Sequence, residues 1–290
     1  RVTPINWINQ KINNKLKSLI KKFNKKVLYF LFSFFSSFNA GRYFLETIHQ
    51  TIFLQKFKIK IKKNKDLVLF TPNRVNFFRA SSFHTKEPET LNWINTFEKN
   101  GIFYDIGANV GIYSCYAAIT NGSKVFAFEP SILNLELLGK NINENNLNDN
   151  ITIVPLALTN SSKVSEFNMS TIDHGSALST FGEKYSHDGN KMKIKFSYKT
   201  LGISLDRICD EFKFPLPDYV KIDVDGLEHL ILDGATNSIA NTKSFLIEVN
   251  EDFELQKNKI KSKLENLGFK LQKKEQSNII SKVYNQIWVR

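Results

Sequence analysis

The stretch Phe103-Tyr104-Asp105-Ile106-Gly107-Ala108-Asn109-Val110-Gly111-Ile112-Tyr113 decides the fold. Ile102–Ile106 is a short apolar run of the kind a buried strand uses, and Ile112–Ile119 carries a helical pattern. Between them stands a glycine-bearing turn. Gly107 permits a tight turn and lets a ligand approach the backbone, and Gly111 allows the following helix to pack near the sheet. Asp105 closes the strand, where its carboxylate can face a cation. The next strand, Val125–Phe128, ends in Glu129-Pro130, 22 residues after Gly107. A carboxylate at that position can accept both hydroxyls of a ribose.

Outward from this unit, strand and helix patterns alternate. Helical patterns cover Leu133–Ile142, Ser204–Glu211, Leu227–Leu232 and Phe253–Leu267, and strand patterns cover Ile151–Val154, Tyr219–Val224 and Phe245–Val249. Phe269–Gln272 and Ile287–Val289 read as a closing hairpin, and Lys56–Lys62 with Leu67–Phe70 as a hairpin leading into the body. Thr90–Phe97 reads as a helix after the acidic, proline-bearing start Glu87-Pro88-Glu89. Thr171–Asn190 is polar and without period, so it is expected to be loop. Such alternation predicts an α/β fold, a Rossmann-like and mostly parallel sheet with helices on both faces. Ligands of these sheets bind at the carboxyl ends of the strands, at the topological switch point.

Composition narrows the function classes. The 290 residues are 42% hydrophobic and 23% charged, ordinary for a globular chain. Two cysteines, Cys115 and Cys209, exclude a disulfide framework and a four-thiolate zinc site. No apolar run reaches the ~18 residues of a membrane-spanning helix. The net charge of +12 is concentrated: residues 1–65 hold 15 Lys plus Arg against one acid, Glu46, whereas the rest holds 25 basic and 27 acidic residues. A nearly neutral body argues against a nucleic-acid groove. The chain is therefore divided into a basic arm, 1–65, and a catalytic domain, 66–290.

In the arm, Ile5, Ile8, Ile12, Leu16, Leu19, Phe23 and Val27 recur at helical spacing among lysines, and the aromatic run Val27–Phe38 follows. A basic amphipathic helix suits an anionic membrane surface. Packing of the run on the body stays open beside that reading. A secretory leader is disfavoured by the length of the basic stretch. The chain opens on Arg1 rather than Met, so the native start is not expected to be present.

Two cofactor classes use the strand-turn-helix layout. Dinucleotide enzymes use G-x-G-x-x-G to hold a pyrophosphate on a helix N-terminus. Here the pattern is D-x-G-x-N-x-G, with Asn109 at the second glycine position. The leading acid repels pyrophosphate but suits the ammonium end of S-adenosylmethionine. A second signal is Val220-Lys221-Ile222-Asp223-Val224-Asp225-Gly226-Leu227-Glu228. Strand alternation predicts that Lys221, Asp223 and Asp225 share one side. Three ionisable groups there are costly as ordinary core and fit a polar site that orients or deprotonates an acceptor hydroxyl. A plain Lys–Asp ion pair with helix capping is the competing reading.

With these motifs in order, the chain from about Lys86 to Asn250 resembles the FkbM family of S-adenosylmethionine-dependent methyltransferases. Lys86 to Thr90 with Trp93-Ile94 resembles the segment that opens that domain, and Phe103 to Gly111 its cofactor loop. Phe128-Glu129-Pro130 is similar to its ribose-binding acid, and Ile203 to Asp206 to the segment before its fourth strand. Lys221 to Glu228 with Leu232 to Ala235 resembles its second hallmark, and Glu248 the acid on its next strand. Two departures stand out. Asp225 occupies a position that is often Glu, and Leu156 to Asn160 lacks the acid common in that loop.

The resemblance implies O-methylation of a hydroxyl on a sugar, glycan or small metabolite. The cofactor would lie against Asp105, Gly107, Ala108, Asn109, Gly111, Glu129 and Pro130, with Asp223, Asp225 and Lys221 as catalytic residues. No metal is expected, although Asp223, Asp225 and Glu248 are hard oxygen ligands of the type magnesium takes. His229 is expected on a helix surface. The anticipated location is the cytoplasm, with the arm on the inner face of a membrane. A nicotinamide-dependent oxidoreductase on the same fold, and a non-catalytic membrane- or nucleic-acid-binding adaptor, are the alternatives.

Overall fold

A computed structural model describes residues 20, 22–61, 65–276 and 282–290. The chain divides into two compact units between Gln55 and Lys56. In the first, residues 22–36 are helical, and α1 (Asn39–Phe53) follows. The two helices approach closely at Gly41, where an added Cβ would lie 2.0 Å from the Phe35 carbonyl oxygen. Phe35 and Phe44 meet at 5.3 Å between ring centres. The predicted apolar face from Ile5 to Leu19 lies outside the described residues.

The second unit begins ten residues before the charge-based boundary at 65. Lys56–Ile61 (β1) pairs antiparallel with Lys65–Phe70 (β2), burying Ile59, Leu67 and Leu69, so its lysines belong to a strand of the body. Three short helices follow: α2 (Arg74–Ser81), α3 (Phe83–Lys86) and α4 (Pro88–Ile94). Then come β3 (Ile102–Ile106), α5 (Ile112–Asn121), β4 (Lys124–Phe128), α6 (Ile132–Glu144) and β5 (Ile151–Val154). After an insert, the unit resumes with α7 (Leu205–Phe212), β10 (Tyr219–Ile222), α8 (Glu228–Asp233), β11 (Ser244–Asn250), α9 (Glu254–Asn266), β12 (Lys270–Gln276) and β13 (Val283–Val289).

The main sheet has seven strands in the order β12-β13-β11-β10-β3-β4-β5. The five from β11 to β5 are parallel, and β13 and β12 close the edge antiparallel, as the hairpin reading expected. Strand alternation splits the core into two layers. Phe103 joins Trp93, Cys115 and Leu138 on one face, and Tyr104 and Ile106 join Leu205, Ile231 and Leu264 on the other. Chain order reverses between β3 and β10, where doubly wound sheets open a crevice.

Two expectations are corrected. The segment after β5 forms a four-stranded second sheet of order β6-β9-β7-β8, and the expected loop Thr171–Asn190 contains one of its strands: β6 (Ala157–Leu158), β7 (Lys163–Met169), β8 (Ser179–Phe181) and β9 (Phe196–Ile203). Lys163, Glu166 and Lys199 are exposed on these strands while Phe167, Met169 and Phe181 are buried, so no regular alternation marked them. The strand expected over Tyr219–Val224 ends at Ile222, so Asp223 and Asp225 project from a loop rather than from one face of a strand. Asp225 there adopts φ 58°.

Candidate functional site

The turn after β3 is fixed by close backbone approach. The amides of Gly107 and Ala108 both donate to the Phe128 carbonyl at 3.0 Å, tying the turn to the end of β4. Gly107 has φ 82°, and a Cβ there would lie 1.9 Å from the Asp223 carbonyl oxygen, so only glycine lets the β3 and β10 loops touch. Asn109, at φ 52°, takes the left-handed conformation that asparagine tolerates best after glycine. Its amide donates to Glu129 Oε2 at 2.8 Å, and its side chain donates to the Ser176 carbonyl at 2.9 Å.

Glu129 follows β4 and is buried. The Ser131 amide donates to its other oxygen at 2.7 Å. Burial pushes this carboxyl up to about 7 against the pull of those amides. The second carboxylate group lies across the switch point. Lys221, 1% exposed, is the register partner of Asp105 and donates to Asp223 Oδ2 at 2.7 Å. Its ammonium also sits 5.3 Å from the Tyr113 ring centre. Burial alone lowers a lysine, but Asp223, then Asp105 and Glu87, hold this one above its ordinary value. A lysine so held keeps its proton and orients Asp223. Burial raises Asp223 as well, and the Lys221 ammonium outweighs it, leaving the carboxyl below its usual range.

Asp225 behaves in the opposite way. Its Oδ2 accepts from the amides of Leu178 (2.6 Å) and Ser179 (3.2 Å), which anchors the insert to the β10 loop. Burial, reinforced by Asp223, pushes it up to about 6. Glu248 on β11 is raised well above its ordinary value by burial and then by Asp223 and Asp225. Glu228 is fully buried and holds the loop together, accepting from the Val224 and Gly226 amides and from the Gln256 side chain.

Apart from Glu228 and Asp105, these groups line one continuous cleft at the carboxyl edge of the sheet. Its inner end is formed by Arg79, Tyr113, Lys221 and Asp223, with Ala108 beside them. The middle brings together Gly107, Asn109, Glu129, Pro130, Asp223 and Asp225. The far end is an apolar slot of Ile106, Phe128, Leu156, Leu158, Phe167 and Phe181. Of the predicted residues, Asp105 and Gly111 do not line it. Asp105 is 1% exposed, takes the Ser114 hydroxyl at 2.5 Å, and has Lys221 as its neighbouring cation. Gly111 is a packing residue, since a Cβ there would lie 2.3 Å from Leu138.

Sequence reasoning missed Arg79, Asn134, Ser176 and Ser179, all on the cleft. The two serines belong to the insert, and only the fold brings them to the β3 turn. His229, expected on a helix surface, is 2% exposed, because Phe253 packs edge-on against its ring at 5.9 Å. The Ile203 to Asp206 segment is structural: Asp206 accepts from the amides of Thr236, Asn237 and Ser238. Among the described residues, no group of three His, Cys, Asp or Glu is arranged to hold a metal ion.

Hexuronic acid methyltransferase AglP of Haloferax volcanii is 31% identical over 155 residues, which cover 53% of this chain and 57% of that protein. The chain thus spans a little over half the length of the curated relative it matches. Similar solved structures include the precorrin-6y C5,15-methyltransferase of Geobacter metallireducens, with TM-score 0.42, 15% identity and coverage of 70% of this chain and 86% of that one. M. capricolum TrmK in complex with S-adenosyl-homocysteine gives TM-score 0.42 and 15% identity, with coverage of 69% and 66%. The family model Methyltransferase FkbM domain matches residues 105–271, from the acid near the end of β3 to the start of β12. With more than half of its length inside that match, the chain belongs to the FkbM methyltransferase family.

Proposed function

We propose that this protein is an S-adenosylmethionine-dependent methyltransferase that methylates a hydroxyl of a sugar or glycan. The carrying observation is the cleft, which joins an apolar slot, a buried glutamate and a cation-bearing inner end in the order that an adenine, a ribose and an amino-acid tail require. Orphaned polar atoms favour a ligand in this space: Asn109 Oδ1 and Ser176 Oγ are buried without a hydrogen-bond partner in the protein.

Leu156 and Leu158 would sandwich the base by apolar contact, which makes an acid in that loop dispensable. Glu129 would accept the ribose hydroxyls. Arg79 stands near Asp223 and would face the carboxylate of the methionine tail. When bound, the cofactor supplies an activated methyl group. Asp223 orients the acceptor hydroxyl and takes its proton, held in place by Lys221. Asp225 shapes the site by pinning the insert. The family membership and the hexuronate-methylating relative support a sugar acceptor. Calorimetric titration with S-adenosyl-homocysteine tests the reading, and absence of binding to folded protein defeats it.

The basic N-terminal unit supports attachment to an anionic membrane surface from the cytoplasmic side. Phe23, Leu28, Tyr29, Phe30, Phe32 and Phe34 are all exposed, beside Lys22, Lys25 and Lys26. No helix among the described residues is long and apolar enough to cross a membrane. Replacing Phe30, Phe32 and Phe34 by serine in the full chain is expected to abolish co-sedimentation with phosphatidylglycerol vesicles. Unchanged sedimentation removes this reading.

A further inference from the structure

An open groove adjoins the middle of the cleft, and the two share Lys86, Glu87, Asp225 and Glu248. It opens onto the cavity that Asp223 lines, which on the methyltransferase reading makes it the acceptor's way in. Its wall carries more acids than bases. Five carboxyl groups face it, from Glu87, Glu89, Asp225, Glu248 and Glu275, against the basic side chains of Lys86 and His187. The Lys86 ammonium is committed to Glu87 at 2.6 Å, and Glu275 is paired with Lys273 at 3.0 Å. Glu89 accepts from the Asn285 side chain, and Asp225 accepts from backbone amides. Among the described residues, neither these two nor Glu248 forms an ion pair. Arg79, whose planar guanidinium is the natural partner of a carboxylate, lines the inner cavity and not the groove.

Two further observations point to a sugar ring. Phe78 is 59% exposed on the groove wall, a flat apolar surface against which the carbon face of a sugar can rest. Ser176, 7% exposed, lines the adjoining cavity with a hydroxyl that has no partner in the protein. Asp225 and Glu248 are both pushed up by burial and by neighbouring acids, and His187 offsets this for Asp225 only in part.

Building on the methyltransferase reading, we infer that the acceptor is a sugar without negative charge, neutral or amine-bearing, and that the groove rejects hexuronates. A carboxylate entering it meets Glu89 and Asp225, which have no ion-pair partner among the described residues, and finds no arginine to receive it. Hydroxyl and ammonium groups instead find acceptor oxygens along the wall. The acceptor chemistry thus differs from that named for the Haloferax relative.

The test uses the full chain with labelled S-adenosylmethionine and three acceptors of one ring shape: methyl glucoside, its 2-amino analogue and its uronate. Both non-anionic sugars are expected to exceed the uronate by about tenfold or more in kcat/KM, with the gap narrowing as salt rises. Glu275→Lys at the rim is expected to shift the uronate-to-glucoside ratio several-fold toward the uronate, a change that loss of folded protein cannot produce. If S-adenosyl-homocysteine binds and the uronate is the equal or better acceptor, the inference is overturned. Binding without transfer to any of the three overturns it too. Failure of S-adenosyl-homocysteine to bind defeats the methyltransferase reading itself, and this inference with it.

Discussion

Asp223 and Asp225 stand two residues apart on one loop and titrate in opposite directions. Asp223 is held below its ordinary range by the Lys221 ammonium at 2.7 Å, and Asp225 is pushed up to about 6. Both are partly buried in the same cleft, so burial does not separate them. What separates them is the cation. Lys221, anchored on β10 opposite Asp105, pairs with Asp223 and not with Asp225, while Asp225 answers to two backbone amides of the insert. The inner wall is thus a neutralised network built for a fixed carboxylate. The outer wall keeps Glu89 and Glu248, which form no ion pair among the described residues, beside the paired Glu87 and Glu275. An acidic motif read as one unit splits into a reacting group and a shaping group.

The largest effect that sharpens this comparison is on turnover. Asp223→Ala is expected to lower kcat by roughly 10²–10⁴, the range for a positioned proton acceptor, with S-adenosyl-homocysteine affinity little changed. Loss of affinity with kept turnover reverses the role assignment. Next comes Lys221→Met, which leaves Asp105 and Asp223 without their cation. Breaking a buried pair in this way costs about 3–5 kcal/mol, readable as a lower urea midpoint. A midpoint unchanged from the parent shows that the inner network is not held by this lysine. Glu129→Ala is expected to weaken S-adenosyl-homocysteine binding by about tenfold to a hundredfold, since it removes a charged acceptor and strands two buried amides.

The comparison also shows what a sequence can carry. Most strands of the main sheet were legible because short segments rich in apolar residues and bounded by turn residues have few other uses. Glu129 and the Gly107 turn were legible for the same local reason, since spacing along one strand-turn-helix unit places them. The second sheet was hidden because its strands are short or half exposed and show no regular apolar alternation. Ser176 and Arg79 were illegible in principle. Ser176 reaches the turn only through the Asn109 and Asn134 side chains that take its carbonyl, and Arg79 is placed by the Gly175 carbonyl that its Nε holds at 3.0 Å. The opposite behaviour of Asp223 and Asp225 was equally hidden, because the strand ends at Ile222 and the loop turns them into different company.

The smallest expected effect is a pH dependence at Glu129. Its carboxyl is pushed up to about 7 from an ordinary value of 4.5. In the protein without ligand, a raised acid favours the protonated folded state. Its contribution to stability is therefore full below about 4.5 and is lost as pH rises toward 7, the same sign as for Asp225 and Glu228. Ligand binding runs the other way, because only the ionised carboxylate offers both oxygens to the ribose hydroxyls. Near pH 6 roughly a tenth of Glu129 is ionised and near pH 8 roughly nine-tenths, so S-adenosyl-homocysteine affinity is expected to rise about tenfold across that interval. Glu129→Gln cannot titrate and is expected to flatten the profile while keeping one acceptor oxygen. A parent profile that is already flat, with binding intact, places the ionised form below the whole interval and assigns the amides of Asn109 and Ser131 more weight than the burial they oppose.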